Sequence, residues 1–195
     1  MNFRITFVKS IVGGFLIGLG GACFLSIDNK IIGALLFSLG LLAICVTDQY
    51  LFTGKAAYST DIKFLAIILL GNYIGATGLG LLIRFTCPAV MDKASEMCVR
   101  KLAEGPRLIG LAILCNILIY FAVEGYKCGH AALLVLCVMA FILCGFEHSI
   151  ANMFYFSVGS AAFTPVGVAY LLANVFGNLC GGLLVQIFYF LMTKE

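Results

Sequence analysis

The sequence predicts an all-α integral membrane protein built from six transmembrane helices. Three observations predict it. Of the 195 residues, 63% are hydrophobic and only 11% charged, far more apolar surface than a soluble domain of this length needs. Six apolar runs are long enough to span a bilayer. Two of them are interrupted by polar residues, at places that an internal repeat puts in register. The mean hydropathy of +1.11 agrees with this class. A net charge of +3 offers no basic stripe, so nucleic acid is not an expected partner.

A span takes roughly 20 mostly apolar residues. The runs extend from about Phe7 to Ile27, Ile31 to Phe52, Lys63 to Ile83, Leu108 to Val123, Ala131 to Val158 and Val166 to Met192. Trp is absent, so an aromatic belt at the interface must draw on Tyr and Phe. The first run lacks a small-residue cleavage site and more spans follow it, so it reads as a retained helix. An even number of spans puts both termini on one side. Charge does not say which side. Arg4, Lys9, Lys55, Lys63, Lys127 and Lys194 flank one set of ends, and Lys30, Arg84, Lys93, Arg100, Lys101 and Arg107 the other.

The nine cysteines include no C-x-x-C pair, and most lie in apolar runs, where Cys behaves as a small hydrophobe. No metal site, cofactor or disulfide framework is expected. Cys87 and Cys98 flank a polar stretch and would pair only if it faced an oxidising compartment; free thiols are the default.

The fifth run holds the most unusual chemistry. Gly145-Phe146-Glu147-His148-Ser149-Ile150-Ala151-Asn152-Met153-Phe154 sets an acid, an imidazole, a hydroxyl and an amide between apolar segments. An ionisable group at membrane depth costs about 2.5–3.5 kcal/mol on insertion scales, so it normally faces a cavity or a solute path. A polar cluster that only holds helices together is the plainer alternative. Glu and His side by side, next to a glycine, favour the path. The second run changes character at Thr47-Asp48-Gln49-Tyr50-Leu51-Phe52-Thr53-Gly54-Lys55. This is either a helix end or a helix broken to line a cavity. A repeat favours the break. Gly71-Asn72-Tyr73-Ile74-Gly75 and Gly177-Asn178-Leu179-Cys180-Gly181 both read G-N-x-x-G, and each follows an interrupted span. Three spans per half implies inverted topology, with residues 1–86 and 108–195 as the repeats of one channel domain and 87–107 as the connection. Gly14/Gly18, Gly71/Gly75 and Gly177/Gly181 are spaced for close helix packing.

Phe85 to Arg107 is the only sizeable hydrophilic stretch, read as a short solvated helix at the interface. A cation at a pore mouth also gathers anions. Arg100 or Lys101 suits that role at one mouth and Lys9 at the other, although snorkelling is the plainer role for Lys9.

These motifs resemble the formate/nitrite transporter family of pentameric anion channels. The resemblance rests on Gly145 to Phe154, on Leu51-Phe52-Thr53-Gly54, on Gly71-Asn72 and Gly177-Asn178, and on Cys115-Asn116, and it covers all six spans. It implies an aquaporin-like fold with broken second and fifth helices and one pore per protomer of a homopentamer. It implies a cell (inner) membrane location with both termini cytoplasmic. By resemblance His148 is the central pore histidine, with Thr53 and Asn116 as polar neighbours and Asn152 supporting the broken fifth helix. Phe37, Leu41 and Phe141 suit one constriction, Leu51 another, and Lys101 or Arg100 the vestibule cation. The sequence departs from the family in a short N-terminal extension, a short stretch between Thr53 and Gly71, and an abbreviated loop after Phe154.

The expected function is a channel for a small monovalent weak-acid anion, formate first, with nitrite and hydrosulfide open. His148 would share a proton so that the solute crosses as the neutral acid. Glu147 would either tune His148 or hold the break; the second is favoured, because a carboxylate in the path repels anions. A neutral-solute channel for ammonia or urea is the alternative. A membrane enzyme using Glu147 and His148 ranks last, since the sequence has no second catalytic cluster.

Overall fold

The structure is a computed structural model that describes residues 2–193; Lys194, counted above among the flanking charges, lies outside the described residues. Among the described residues nine helices follow one another: α1 (Phe3–Ser26), α2 (Lys30–Val46), α3 (Phe52–Ala56), α4 (Ile62–Thr86), α5 (Pro88–Leu102), α6 (Arg107–Lys127), α7 (Ala131–Leu143), α8 (Ser149–Val158) and α9 (Pro165–Thr193). Their starts follow local chemistry. The side chains of Asn2, Asn29 and Asp61 accept from backbone N–H groups in the first turns of α1, α2 and α4. Pro88 opens α5, where its missing N–H costs nothing.

α1, α4, α6 and α9 are long and apolar enough to cross a membrane. α2 and α7 are apolar but shorter, 17 and 13 residues. The outer surface is apolar: Leu136, Leu172, Phe176 and Phe188 are all exposed. Polar side chains lie inside, among them Thr53, Asn72, Asn116, Glu147, His148, Asn174 and Asn178, each no more than 2% exposed. This inside-out pattern suits a molecule whose solvent is hydrocarbon. The amphipathic α5 is the hydrophilic linker predicted above.

The helices pack in two parallel schemes. α1 lies against α2 and α4, and α6 against α7 and α9. The two short helices cross over, α8 onto α4 and α1, and α3 onto α9 and α6. Glycine permits the tightest contacts. A Cβ on Gly75 would strike the Ile11 carbonyl of α1, and one on Gly181 would sit 2.5 Å from the Ile113 carbonyl of α6.

The second and fifth runs are not continuous helices. α2 stops at Val46, where the Thr47 N–H and hydroxyl both return to the Ala43 carbonyl, and Asp48 turns the chain at φ +50. The helix therefore ends six residues before Phe52, the expected limit of the run. α3, which restarts at Phe52, has only 5 residues. α7 stops at Leu143, Gly145 turns the chain at φ +71, and α8 restarts at Ser149. Cys87 and Cys98 are free thiols, and the Cys98 thiol donates to the Tyr155 carbonyl at 3.6 Å.

Candidate functional site

The site is built from the two interruptions, each held by an asparagine from the helix that follows. The Asn72 carbonyl oxygen accepts from Phe52 N at 2.7 Å, and its amide donates to the carbonyls of Tyr50 at 2.8 Å and Ser10 at 2.6 Å. Asn178 does the same at the other site. It accepts from Ser149 N at 2.8 Å and donates to the carbonyls of Glu147 at 2.9 Å and Ala112 at 2.8 Å. These amides satisfy backbone groups that leaving the helix frees, the condition for irregular backbone at membrane depth.

The interruptions meet at one hydrogen bond. Thr53 Oγ1 and His148 Nε2 are 3.0 Å apart, with both residues fully buried. His148 also caps α8: its Nδ1 accepts from Ala151 N at 3.1 Å. A ring accepting at Nδ1 carries its proton on Nε2, so in the neutral state Nε2–H donates to Thr53 Oγ1. The Thr53 hydroxyl hydrogen is then free for another acceptor. The Phe141 ring stacks on the imidazole at 5.7 Å between centroids, and Phe37 meets Phe141 edge-on at 5.8 Å. Phe37, Leu41, Leu51 and Phe141 are all buried and form an apolar layer.

A cavity lies on each side of the layer. One, of about 380 Å³, is lined by Phe141, His148, Lys101, Arg100 and Lys30. The other, of about 360 Å³, is lined by Leu41, Leu51, Lys55, Tyr126 and Lys127. α2 starts beside the first and ends beside the second, so they open at opposite ends of the molecule.

The remaining predicted residues fall outside that pair. Glu147 is 3% exposed at its side chain, and both its oxygens accept from Lys101 Nζ, at 2.8 and 2.7 Å. Asn152 Nδ2 donates to Glu147 Oε2 at 2.6 Å and to Asn174 Oδ1 at 3.1 Å. Glu147 thus bonds to residues that support the interruption, and no hydrogen bond joins its carboxylate to His148. Lys101 is largely buried against Glu147, whereas Arg100 is exposed, 3.9 Å from Glu96. Lys9 is 2.6 Å from Asp48, so Lys101, Arg100 and Lys9, the cations expected to attract anions at the two mouths, each lie beside a carboxylate. Asn116 is fully buried, but its amide has no hydrogen-bond partner among the described residues. It faces the Gly181-Gly182 stretch of α9 and is not bonded to His148 or Thr53.

Asn174 was not foreseen. Its amide donates to the Glu147 carbonyl at 3.0 Å, beside the bond from Asn178. The available signal was the spacing of Asn174 and Asn178, four apart on one helix face.

Apolar outer faces, buried amides and several membrane-length helices define a multi-pass membrane protein. Its fold matches that of a pentameric formate channel with formate bound, with a TM-score of 0.84 and 24% identity over 99% of this chain and 98% of that one. An ion channel of the formate/nitrite transporter family also gives 0.84, at 23% identity, over 99% and 92%. The chain belongs to the formate/nitrite transporter family, whose sequence profile matches residues 1–192. It is 27% identical over 155 residues to the formate channel FocA of Haemophilus influenzae, covering 67% of this chain but only 54% of that protein. It is 25% identical to the formate channel FocB of Escherichia coli over 193 residues, covering 82% and 68%. The formate-nitrite transporter of Plasmodium falciparum is 26% identical over 229 residues, covering 91% and 74%. The chain therefore spans about half the length of the Haemophilus relative. These relatives are channels and transporters rather than enzymes.

Proposed function

We propose that the protein conducts a small monovalent weak-acid anion, formate in the first place, with nitrite and hydrosulfide as competing substrates. The observation that carries this is the Thr53–His148 pair, buried between two cavities in an otherwise apolar layer. Relatives named as formate channels support formate as the first candidate.

The anion reaches the layer and accepts from the Thr53 hydroxyl. A bare charge crosses Phe37, Leu41, Leu51 and Phe141 only at high cost. Protonating His148 at Nδ1 sacrifices its bond to Ala151 N and sets a positive charge at the start of α8, against the helix dipole. The imidazolium therefore forms only when an anion lies beside the ring. The proton comes from water in the cavity, passes through His148 to the anion, and leaves with it as the neutral acid on the far side. One proton thus moves with each anion. The amide of Asn116, buried and unpartnered, is suited to replace a hydrogen bond lost from water; leaving it unmade costs about 1–3 kcal/mol.

The architecture that goes with this reading has six spans in two inverted repeats, residues 1–86 and 108–195. α2 with α3, and α7 with α8, form the broken second and fifth spans. The matched hydrogen bonds of Asn72 and Asn178 support it. The protein would sit in the cell (inner) membrane with cytoplasmic termini, and as a homopentamer, which the pentameric neighbour supports. Uptake of formate, nitrite and hydrosulfide into proteoliposomes tests the reading. Saturable uptake of one of them that rises as pH falls is expected. Saturable uptake of ammonia or urea with no anion flux would overturn it.

A further inference from the structure

All three cations expected to gather anions are engaged, Lys101 by Glu147, Lys9 by Asp48 and, at 3.9 Å, Arg100 by Glu96. The cavity of about 360 Å³, which Asp48 also lines, nevertheless contains a cation that no carboxylate pairs directly among the described residues. Lys55, on α3, is half-buried and lines that cavity with Leu51, Tyr58, Tyr126 and Lys127. Its ammonium lies 4.6 Å from the centre of the Tyr50 ring. Among the described residues its side chain has no ion pair or hydrogen bond, because the nearby carboxylates are taken. Asp48 is held by Lys9, and Glu124 accepts from both Lys127 and Tyr58. A ring face and the end of a five-residue helix stabilise an ammonium but do not neutralise it. The ammonium therefore keeps its donors for a ligand in the cavity that Leu51, two residues before Thr53, also lines.

We infer that Lys55 is the anion-docking cation of this mouth, holding a small monovalent carboxylate or oxyanion before it passes Leu51. Charge and position both support the inference. Lys55 lines the same cavity as Leu41 and Leu51, so an anion docked on it lies against those two buried apolar residues. The two mouths then differ: one presents a half-buried free ammonium, the other the exposed Lys30 and Arg100 around a neutralised Lys101.

The inference rests on the anion-channel reading, and the test separates the two. Formate uptake is measured at low and high ionic strength for the wild type, Lys55→Gln, Lys55→Met and Lys55→Arg, with exposed Lys63→Gln as control. Size-exclusion profile and melting temperature check that each variant folds. At low ionic strength, Lys55→Gln and Lys55→Met are expected to raise the half-saturating formate concentration about tenfold with little change in maximal rate. The difference should shrink as salt screens the site. Lys55→Arg should stay within about twofold of wild type, since it keeps the charge, and Lys63→Gln should match wild type. Saturable wild-type uptake with unchanged half-saturation in both uncharged variants overturns the Lys55 assignment and leaves the channel reading intact. Absence of saturable uptake of any anion by the wild type overturns both. Line broadening of 13C-formate by the detergent-solubilised protein gives the same comparison without transport, and equal broadening by wild type and Lys55→Gln also overturns the assignment.

Discussion

The chain leaves its helix twice, between Val46 and Phe52 and between Leu143 and Ser149, and the two departures share one backbone plan with different side chains. Gln49 N donates to Ile44 O and Phe146 N to Phe141 O; Tyr50 N donates to Lys9 O and Glu147 N to Leu111 O. Asn72 and Asn178 each make three equivalent hydrogen bonds. At matched positions Tyr50 stands against Glu147, and Leu51 against His148. Leu51 offers no side-chain cap to α3, whereas His148 caps α8. The backbone device is fixed by asparagines on neighbouring helices, which leaves the interrupted segments free to specialise. One supplies a buried leucine and a hydroxyl, the other an imidazole and a buried ion pair.

The largest expected effect breaks the shared plan. Asn178→Ala leaves the N–H of Ser149 and the carbonyls of Glu147 and Ala112 short of partners. Each orphaned group costs about 1–3 kcal/mol. Size-exclusion chromatography should recover little folded protein, and Asn72→Ala should behave alike. A well-folded Asn72→Ala beside an unfolded Asn178→Ala would end the equivalence.

Next is the buried ion pair of the second interruption; the Lys9–Asp48 pair of the first is largely exposed at its carboxylate. Glu147→Gln leaves Lys101 buried without its counter-charge, a loss of about 3–5 kcal/mol. Combining it with Lys101→Met should restore most of the melting temperature in detergent. A double variant no more stable than Glu147→Gln would mean that the carboxylate, not the pairing, holds the segment.

A smaller change makes the first interruption resemble the second. Leu51→Asn gives α3 a capping side chain, worth about 1 kcal/mol, and wets the constriction. Thermal stability should be held or slightly raised while formate leak increases. Unchanged leak would remove Leu51 from the solute path.

The smallest effect lies outside both interruptions. Asp28, in the turn between α1 and α2, is 2.7 Å from Lys93 of α5, whose ammonium holds the carboxyl below its usual range. A lowered value means the tether is fully present above the ordinary carboxylate pKa and is lost as pH falls through the lowered one. Both partners are well exposed, so Asp28→Asn should leave the melting temperature unchanged near neutral pH. A clear drop would assign the α5 linker a structural role.

Much of this was legible from the chain, for physical reasons. A Glu-His pair in an apolar run is too costly to be incidental, and two G-N-x-x-G motifs at matching places marked the helices that hold the interruptions. The end of α2 was hidden because Leu51 and Phe52 are as apolar as the helix before them. What excludes them from it is an amide on α4, 20 residues away. The pairing of Lys9 with Asp48 and of Lys101 with Glu147 was hidden as well. Partners 39 and 46 residues apart meet only once the helices are packed. Residue type alone made Lys9, Arg100 and Lys101 candidates for gathering anions and left Lys55 as an ordinary flanking charge.

The most direct test compares formate uptake by wild type and His148→Phe across a range of pH, each corrected for protein-free vesicles. Loss of the histidine removes one cap and the bond to Thr53 but leaves the asparagine-held backbone, so assembly should persist. Wild-type uptake should rise as pH falls, and the variant should lose that slope. An equal slope in both would contradict proton transfer through His148.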